Sequence, residues 1–408
     1  MVAKAFNQYP VTKKIVMTIF IVDIFAWLIA PFSKYYIIPN MEVLLDILCF
    51  LSLITIGPVM ISSKNRNIAL RYMMACLAII FLPIFFHGDL PFVSIISKLI
   101  FAISFISLKS EYKWVICSKF TNLFSFLLLF GIIEWVLLLF GINFFWGVVD
   151  RDGGSQEFYQ GIFILVPTYS DYGLFYRFMS LCEEPGGLGT ICFFLLATLD
   201  FQKSKKQFFI LLLSGLISFS LGFYILIILW AITQNRRLKI SQILLGIVVV
   251  VVMLTMFGDF FEARIIDRVT GDDIETIDNR TNDDVDKKLQ EISKDSRIVF
   301  GMGNRTFYEW EAKVGGVSAG VKNFVIQYGL LGFIILLFSF SLLIIRIRGR
   351  SKETIILLVF VWITFYKSNT WNNPPVLLPL LSVPVVMACN NASQVKSIRA
   401  KQLSYSSK

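Results

Sequence analysis

Eleven long apolar runs occupy most of this chain, and no other feature restricts its fold as strongly. The runs are 16 to 26 residues long, and a helix that spans a bilayer takes about 20 residues. A chain inside a bilayer must satisfy its backbone hydrogen bonds internally, so such runs form helices. The runs cover residues 15–32, 41–62, 69–86, 90–108, 120–141, 186–201, 207–232, 240–258, 322–345, 354–369 and 374–390. The sequence therefore predicts an all-α, polytopic integral membrane protein.

The composition agrees with this class of protein. Hydrophobic residues make up 56% of the chain and charged residues 16%, whereas soluble domains carry about 25% charged residues. No small-residue cleavage site follows the first apolar run, so we expect that run to stay as a membrane anchor. Most cations behind the net charge of +10 lie in short loops, where they orient helices and do not indicate nucleic-acid binding. The six cysteines have no metal-binding or redox spacing.

The longest apolar run, residues 207–232, has basic residues at both ends. Three lysines precede it within four positions, and two arginines and a lysine follow it. Because the cations of short loops face the cytoplasm, a single span would place one of these clusters on the wrong side. The middle of the run, residues 218–222, reads Ser-Phe-Ser-Leu-Gly. Such residues can support a helix break, so we predict two short helices that meet there.

This break gives about twelve transmembrane segments, or eleven if residues 207–232 form one span. Both termini then lie in the cytoplasm, together with the basic residues of the other short cytoplasmic loops. Two longer polar segments face outward, residues 146–185 and residues 259–322. We find no internal repeat and no soluble domain, so residues 1–408 are predicted to form a single membrane domain.

The second outward segment, residues 259–322, predicts a folded cap on the membrane surface. It holds 14 of the 28 carboxylates together with 10 Lys or Arg residues. Asn282 is a candidate cap for a helix whose first turn is acidic, as the helix dipole favours. Val285, Leu289 and Ile292 share one face of that helix. We expect short helices here that cover a site.

The strongest site candidate lies in a polar segment that enters a glycine-rich helix start. This segment brings Arg177, Glu183 and Glu184 to the mouth of the apolar run 186–201. Pro185 sets φ for the start of a helix. Charges at a bilayer boundary are costly to keep without a purpose. A charged loop beside a helix is the simpler interpretation, and a site for an anionic, membrane-tethered substrate is the sharper one.

Arginine is the side chain best suited to a diphosphate, because it is planar, bidentate and always charged. The outward segments contain seven arginines, and many of these should form only exposed ion pairs of little energetic value. Arg177 and Arg280 are the principal candidates for substrate contact. Arg268, Arg305 and Asn279 are further substrate-binding candidates.

Four charged residues lie inside apolar runs, where ionisable side chains are candidates for function. Asp23 or Asp46 paired with Lys98 is equally compatible with a structural role. Glu134 is the most isolated of the four, and we include it among the substrate-binding candidates. The sequence has no nucleophile motif, nucleotide-binding loop or metal-ligand cluster. We therefore expect no cofactor and no metal, and any reaction must draw its energy from the substrate itself.

A series of short motifs follows in order along the second half of the chain. They are Arg177 followed by Cys182-Glu183-Glu184-Pro185-Gly186, the break at 218–222, Asn279-Arg280-Thr281, Gly301-Met302-Gly303-Asn304, the glycine-rich segment 316–320, and Gln327-Tyr328-Gly329-Leu330-Leu331-Gly332. In order and spacing they resemble bacterial O-antigen polymerases of the Wzy type, over about residues 120–390. Two departures concern the related O-antigen ligases. Leu221 stands where those ligases tend to have an arginine. Residues 259–322 lack the histidine that those ligases carry, and this lack favours a polymerase over a ligase.

The resemblance implies an inverting, metal-independent glycosyltransferase on the periplasmic face of the bacterial inner membrane. The donor would be a growing glycan on undecaprenyl diphosphate, and the acceptor the non-reducing sugar of a new lipid-linked unit. Arg177 and Arg280 would stabilise the diphosphate leaving group, and Glu184, or Glu183 beside it, would activate the acceptor hydroxyl.

The implied partners are the lipid-linked oligosaccharide, membrane lipid, and a chain-length regulator and a flippase of the same pathway. The product would be O-antigen or a similar surface polysaccharide. Two alternatives stay open. One is a ligase-like glycosyltransferase, and the other is a lipid-linked oligosaccharide flippase or other secondary transporter.

Overall fold

The fold described here is that of a computed structural model of the chain. It describes residues 10–36, 41–87, 93–142, 145, 147–151, 156–167, 177–180, 182, 184–199, 204–233, 283–314, 320–349, 351–367 and 374–382.

Helices dominate the described residues, as the apolar runs predict. Those before the sheet are α1 (Val11–Tyr36), α2 (Met41–Thr55), α3 (Ser63–His87), α4 (Val93–Ser107) and α5 (Ser110–Leu139). Those after it are α6 (Pro185–Thr198), α7 (Lys205–Ile217), α8 (Leu221–Thr233), α9 (Asp283–Ile292), α10 (Arg297–Phe300), α11 (Asn304–Lys313), α12 (Gly320–Arg348), α13 (Lys352–Lys367) and α14 (Pro374–Leu381). A short 3₁₀ turn at Pro58–Met60 precedes α3.

The helices have the composition of a membrane-embedded protein. Within the described residues, three stretches are long and apolar enough to cross a bilayer: Ser63–Leu82, Ser110–Leu139 and Gly320–Arg348. Shorter apolar helices accompany them in α2, α4, α6, α8 and α13. The predicted span at 240–258 lies outside the described residues.

The apolar run 207–232 is divided into two helices, and this confirms the predicted break. Helix α7 ends at Ile217 and α8 begins at Leu221. Phe219 between them has φ of +48°, a left-handed conformation that turns the chain out of the first helix. The Ser220 hydroxyl accepts a hydrogen bond from Phe223 N at 3.4 Å, as an N-cap residue does. Ser220 therefore satisfies one of the backbone groups that the break exposes.

A three-stranded antiparallel sheet interrupts the helical architecture, so the all-α prediction is wrong for this part of the chain. The strands are β1 (Gly147–Arg151), β2 (Gln156–Gln160) and β3 (Leu165–Pro167), in the order β1-β2-β3. Gly147 pairs with Gln160 and Phe158 pairs with Pro167. The sequence Asp-Gly-Gly-Ser at 152–155 carries a hairpin signal that a search for long apolar runs does not detect.

The cap segment, which we define as residues 283–314, has a small hydrophobic core of its own. Val285 and Ile292 on α9 are fully buried against Met302, Phe307 and Ile326. The predicted amphipathic helix is therefore confirmed. An ion pair of 2.8 Å joins Lys322 Nζ to Asp286 Oδ1 and fastens the cap segment to α12.

Helix α12 is interrupted at Gly329, where φ is +76° and ψ is 171°. The backbone of the cap segment fills this interruption: Met302 N donates to Ile326 O at 2.8 Å, and Gly303 N donates to Gln327 O at 3.2 Å. Only glycine fits at Gly329, because a Cβ there would overlap the Val299 carbonyl. The backbone of the glycine motif at 301–304 thus contacts the backbone at the start of the motif at 327–332.

The twelve-segment topology makes a direct prediction about sidedness. Reporter fusions after Lys205 and after Arg237 should both report cytoplasm, because this topology has the chain turn back at the break between the two basic clusters. A fusion near Asp284 should report the opposite compartment. Alkaline phosphatase and fluorescent-protein fusions measure this directly. Opposite compartments for the first two fusions would contradict the twelve-segment topology and move the cap segment to the cytoplasmic side.

Candidate functional site at the helix break

The Arg177 side chain lies on the break between α7 and α8. Its Nε donates to Ser218 O at 3.2 Å, and its Nη2 donates to Phe219 O at 3.0 Å. The backbone next to Arg177 also contacts the end of α7, since Phe178 N donates to Ile217 O at 3.2 Å. The last carbonyls of a helix have no partner within that helix and carry partial negative charge. Arg177 therefore caps the end of α7, and two backbone carbonyls fix the plane of its guanidinium.

Two helices begin beside this arginine. Helix α6 starts at Pro185 and α8 at Leu221. A Cβ added to Gly189 would lie 2.9 Å from Ser220 Cβ and 3.1 Å from Phe223 Cβ, so the second turn of α6 contacts the start of α8. Helix N-termini carry partial positive charge and orient backbone N–H groups toward anions. The break thus combines one arginine with two helix ends that favour negative charge.

Glu184 occupies the N-cap position of α6. Its backbone is extended, with φ of −151° and ψ of 155°, and Pro185 follows at the first helical position, as predicted. The Glu184 side chain is half-buried and makes no capping hydrogen bond. No donor to its carboxylate is found among the described residues. The carboxylate is therefore available as an acceptor at the start of α6, while Glu183 lies outside the described residues.

Glu134 on α5 has a different task from the one that its isolation in the sequence favoured. Its Oε1 accepts a hydrogen bond from Ile162 N and its Oε2 one from Phe163 N, each at 2.8 Å. The side chain is 9% exposed, and a Cβ on Gly161 would overlap Oε1. Both carboxylate oxygens bind the turn between β2 and β3. We therefore assign Glu134 a positioning role rather than substrate contact.

The same turn connects the sheet to the arginine. Ser180 Oγ donates to Phe163 O at 3.1 Å, and Leu165 N donates to Ser180 O at 3.1 Å. Ser180 has φ of +49°. The Phe178 ring lies edge-on to Trp135 of α5, with 6.3 Å between ring centroids. A continuous set of contacts therefore runs from α5 through the β2–β3 turn to Arg177.

The structure places the other arginine candidates differently. Arg305 forms an ion pair of 2.8 Å with Glu309, one turn along α11, and the two side chains are 78% and 58% exposed. Exposed ion pairs of this kind contribute little to the free energy of folding. Arg297 pairs with Asp295 and Glu291 on the surface, as expected. The candidates Arg268, Asn279 and Arg280 lie outside the described residues, and their roles stay predictions.

Two buried contacts were not singled out as sites from the sequence. Gln327 Nε2 donates to Asn304 Oδ1 at 2.7 Å, where the two glycine motifs meet. Far from it along the chain, Cys49 Sγ donates to Asp23 Oδ2 at 3.0 Å. Asp23 and Asp46 are both fully buried. The sequence contained a sign of the first contact. Asn304 ends one glycine motif and Gln327 begins the next, and both are polar residues.

No group of three His, Cys, Asp or Glu side chains that could hold a metal ion occurs among the described residues. Comparison of the sequence with protein-family models gives no match, and none of the curated proteins compared with it is similar. Inferences about function therefore rest on the residues and their geometry.

The positioning role of Glu134 predicts the effect of a small change. Glu134→Gln keeps the shape of the side chain but replaces one acceptor with an NH₂ group that faces a backbone N–H. We expect the free energy of unfolding to fall by about 1–3 kcal/mol, the cost of leaving a buried donor unpaired. Faster amide hydrogen exchange at Ile162 and Phe163 should accompany this loss. Thermal unfolding in detergent and exchange mass spectrometry measure both effects.

Glu309→Gln is the matched control for that change. It removes a carboxylate from an exposed ion pair, so its effect should stay below about 1 kcal/mol. Equal thermal midpoints and equal exchange rates for Glu134→Gln and the unmodified protein would contradict the positioning role.

Proposed function

We propose that this chain is a bacterial inner-membrane glycosyltransferase that polymerises undecaprenyl-diphosphate-linked oligosaccharide units. The growing glycan is transferred to the non-reducing end of a new unit on the periplasmic face, and the product is O-antigen or a similar surface polysaccharide. The observation that supports this most is the helix break, where Arg177 caps α7 next to the start of α8, and where α6, with Glu184 at its N-cap, packs against that start. This arrangement suits an anionic group bound next to a base.

The reaction needs stabilisation of a departing diphosphate. As the bond between the anomeric carbon and the diphosphate oxygen breaks, negative charge develops on that oxygen. Donors that are already fixed in place stabilise such charge without reorganisation. Arg177 is held in this way by two carbonyls at 3.2 and 3.0 Å. Arg280 would supply a second cation, and Arg268 further charge, from the 259–322 segment.

The reaction also needs a base for the acceptor. The acceptor hydroxyl oxygen attacks the anomeric carbon on the face opposite to the diphosphate, which inverts that centre, and its proton passes to a carboxylate. Glu184 suits this role, because it lies at the start of α6 without a bond to another described group. Glu183, next to it in the chain, is the second candidate. No cofactor takes part, since the diphosphate ester supplies the energy of the reaction.

A transporter for the same class of lipid is the second candidate function. Discontinuous helices whose half-helix ends bind charged substrates occur in secondary transporters, and α7 and α8 form such a pair. A ligase-like glycosyltransferase would use the same leaving group and would transfer the finished glycan to a different acceptor.

Deletion of the gene, followed by gel analysis of the surface polysaccharide, separates these functions. A polymerase mutant should carry a single capping unit, a flippase mutant should lose all glycan, and a ligase mutant should accumulate free polymer. The decisive further experiment is a polymerisation assay with the purified full chain in liposomes that contain the lipid-linked unit. Formation of a ladder of products supports the proposal, and its absence under conditions where the protein remains folded overturns it.

Polymerisation by the purified chain should survive excess EDTA. The expected chemistry uses arginine and helix ends rather than a metal to stabilise the diphosphate, and the described residues hold no metal-ligand group. Ladder formation measured with and without EDTA checks this prediction. Activity that disappears with EDTA and returns with Mg²⁺ or Mn²⁺ would show that acidic residues bind a metal needed for the reaction.

A further inference from the structure

Asn304 is almost completely buried between the cap segment and α12, with 1% of its surface exposed. Its Oδ1 accepts the hydrogen bond from Gln327. Its Nδ2 is buried too, and no acceptor for it is found within the part of the chain that the structure describes. Turning both amides over would leave the Asn304 oxygen without a partner in place of the nitrogen, so one hydrogen bond is unmade in either orientation.

A buried polar group without a partner destabilises a protein and requires an explanation. Replacement by an apolar residue would remove that cost, and the backbone at this place is already tightly fixed by the contacts of Met302 and Gly303 with α12. A ligand that completes the hydrogen bond supplies the explanation, since a binding site keeps unpaired groups that only the ligand satisfies.

The surroundings of Asn304 indicate the chemistry of that ligand. The Tyr308 hydroxyl shares a hydrogen bond with the Gln327 side chain, and burial raises the pKa of Tyr308, so the hydroxyl stays neutral. Tyr308 is 42% exposed and packs edge-on to Phe307, with 5.5 Å between ring centroids. Polar contacts thus lead from the surface through Tyr308 and Gln327 to Asn304.

The members of this group are amides, a phenol and aromatic rings. Two described cations that are close to these residues in the sequence are paired with carboxylates: Arg305 with Glu309, and Lys322 with Asp286. A phosphate would need a cation to offset its charge, whereas neutral amides and rings suit an uncharged polar ligand. Sugars have this chemistry, because they present oxygens that accept hydrogen bonds and apolar C–H faces that pack on aromatic rings.

We infer that Asn304, Gln327 and Tyr308 form a subsite for an uncharged sugar residue. Asn304 Nδ2 is sealed from solvent without the ligand, so the contact between the cap segment and α12 must open locally before Nδ2 donates to a sugar oxygen. The inference rests on the proposed function for the identity of the glycan, but it concerns a place separate from Arg177 in sequence and different in charge. The subsite would bind the oligosaccharide part of the substrate, and Arg177 the diphosphate part.

Two probes separate the subsite from the diphosphate site. The first is the lipid-linked oligosaccharide extracted from cells deleted for the native copy, and the second is undecaprenyl diphosphate without sugar. Dissociation constants of both are measured with the purified full chain in detergent by microscale thermophoresis. The unmodified protein should bind the sugar-bearing lipid more tightly than the bare lipid.

Asn304→Ala should weaken binding of the sugar-bearing lipid about tenfold, the effect of one lost hydrogen bond, and leave binding of the bare lipid unchanged. Thr306→Ala, an exposed neighbour on α11, is the matched control and should change neither value. If Asn304→Ala does not fold, Asn304→Asp replaces it, because a carboxylate keeps the acceptor for Gln327 and removes the N–H donors.

A folded Asn304 variant that binds both lipids as the unmodified protein does would overturn the subsite. An equal loss of affinity for both lipids would also overturn the subsite, because that pattern shows a general structural effect. The outcome is independent of the ladder assay: a chain that distinguishes the two lipids through Asn304 but makes no polymer would contradict the proposed function and keep the sugar subsite.

Discussion

Arg177→Ala should abolish long glycan chains in cells deleted for the native copy. The substitution removes a fixed cation from the helix break and leaves the carbonyls of Ser218 and Phe219 without their donor. Loss of one preorganised donor from a site where charge develops costs about 10²–10³ in rate. Arg177→Lys keeps the charge but loses the planar fork that spans two acceptors, so it should lose much of the activity and retain more than the alanine variant. Initial rates of ladder formation with purified proteins measure the difference.

The expected loss must be separated from a folding defect, because Arg177 also caps α7. Membrane levels and thermal midpoints of both variants should be compared with those of Arg297→Ala. Arg297 lies in an exposed ion-pair group on α10, so its removal should cost less than about 1 kcal/mol and little activity. Arg280→Ala and Arg280→Lys should follow the Arg177 series. The proposal is lost if well-expressed Arg177→Ala and Arg280→Ala proteins still build long chains.

Gly329→Ala should detach the cap segment from α12. With φ of +76° and ψ of 171°, Gly329 occupies a region that is nearly restricted to glycine, and a side chain there costs about 1–3 kcal/mol. The added Cβ would also overlap the Val299 carbonyl, a backbone atom that cannot move alone. We therefore expect a loss of about 3 kcal/mol or more, together with faster proteolysis within residues 283–314. Thermal unfolding and limited proteolysis in detergent measure these effects.

Gly349→Ala is the matched control for Gly329→Ala. Gly349 has φ of +85°, but no described atom lies within 4 Å of the position that its Cβ would take. It should show the backbone cost without the overlap and leave cleavage of the cap segment unchanged. Gly301→Ala should reproduce the Gly329 effect, because its Cβ would overlap the Gln327 carbonyl from the opposite side of the same contact. Identical proteolysis of all three variants would contradict the docking described here.

The sequence predicted those features that depend on local pattern. Apolar runs located the helices, the Ser-Phe-Ser-Leu-Gly segment located the break, and the spacing of Val285 and Ile292 located the amphipathic helix. These three predictions succeed because helical hydrogen bonding and amphipathic spacing both depend on residues that are close in the sequence. The sheet was missed, because its strands are short and its turn signal was not given weight against the apolar runs.

The partners of the site residues could not be predicted in this way. Arg177 contacts carbonyls 41 and 42 residues later, and Glu134 accepts hydrogen bonds from amides 28 and 29 residues later. A charged residue near a bilayer shows that some partner is needed, but the choice between substrate and backbone depends on tertiary packing. For Glu134 the backbone accounts for both carboxylate oxygens, whereas no group among the described residues accounts for Nδ2 of Asn304.

The left-handed conformation of Phe219 at the helix break has a consequence for engineering. Among the described residues, only two other than glycine have positive φ, Ser180 and Phe219, and Arg177 is bonded to Phe219 in the same contact. Each such conformation costs about 1–2 kcal/mol relative to glycine. Phe219→Gly would relax the backbone there, but it would remove a ring that is only 3% exposed, a loss of about 3–5 kcal/mol, and would loosen the carbonyl that orients Arg177. Selection of this chain for heat resistance alone should therefore retain Phe219 in its strained conformation, and with it the carbonyl that holds Arg177.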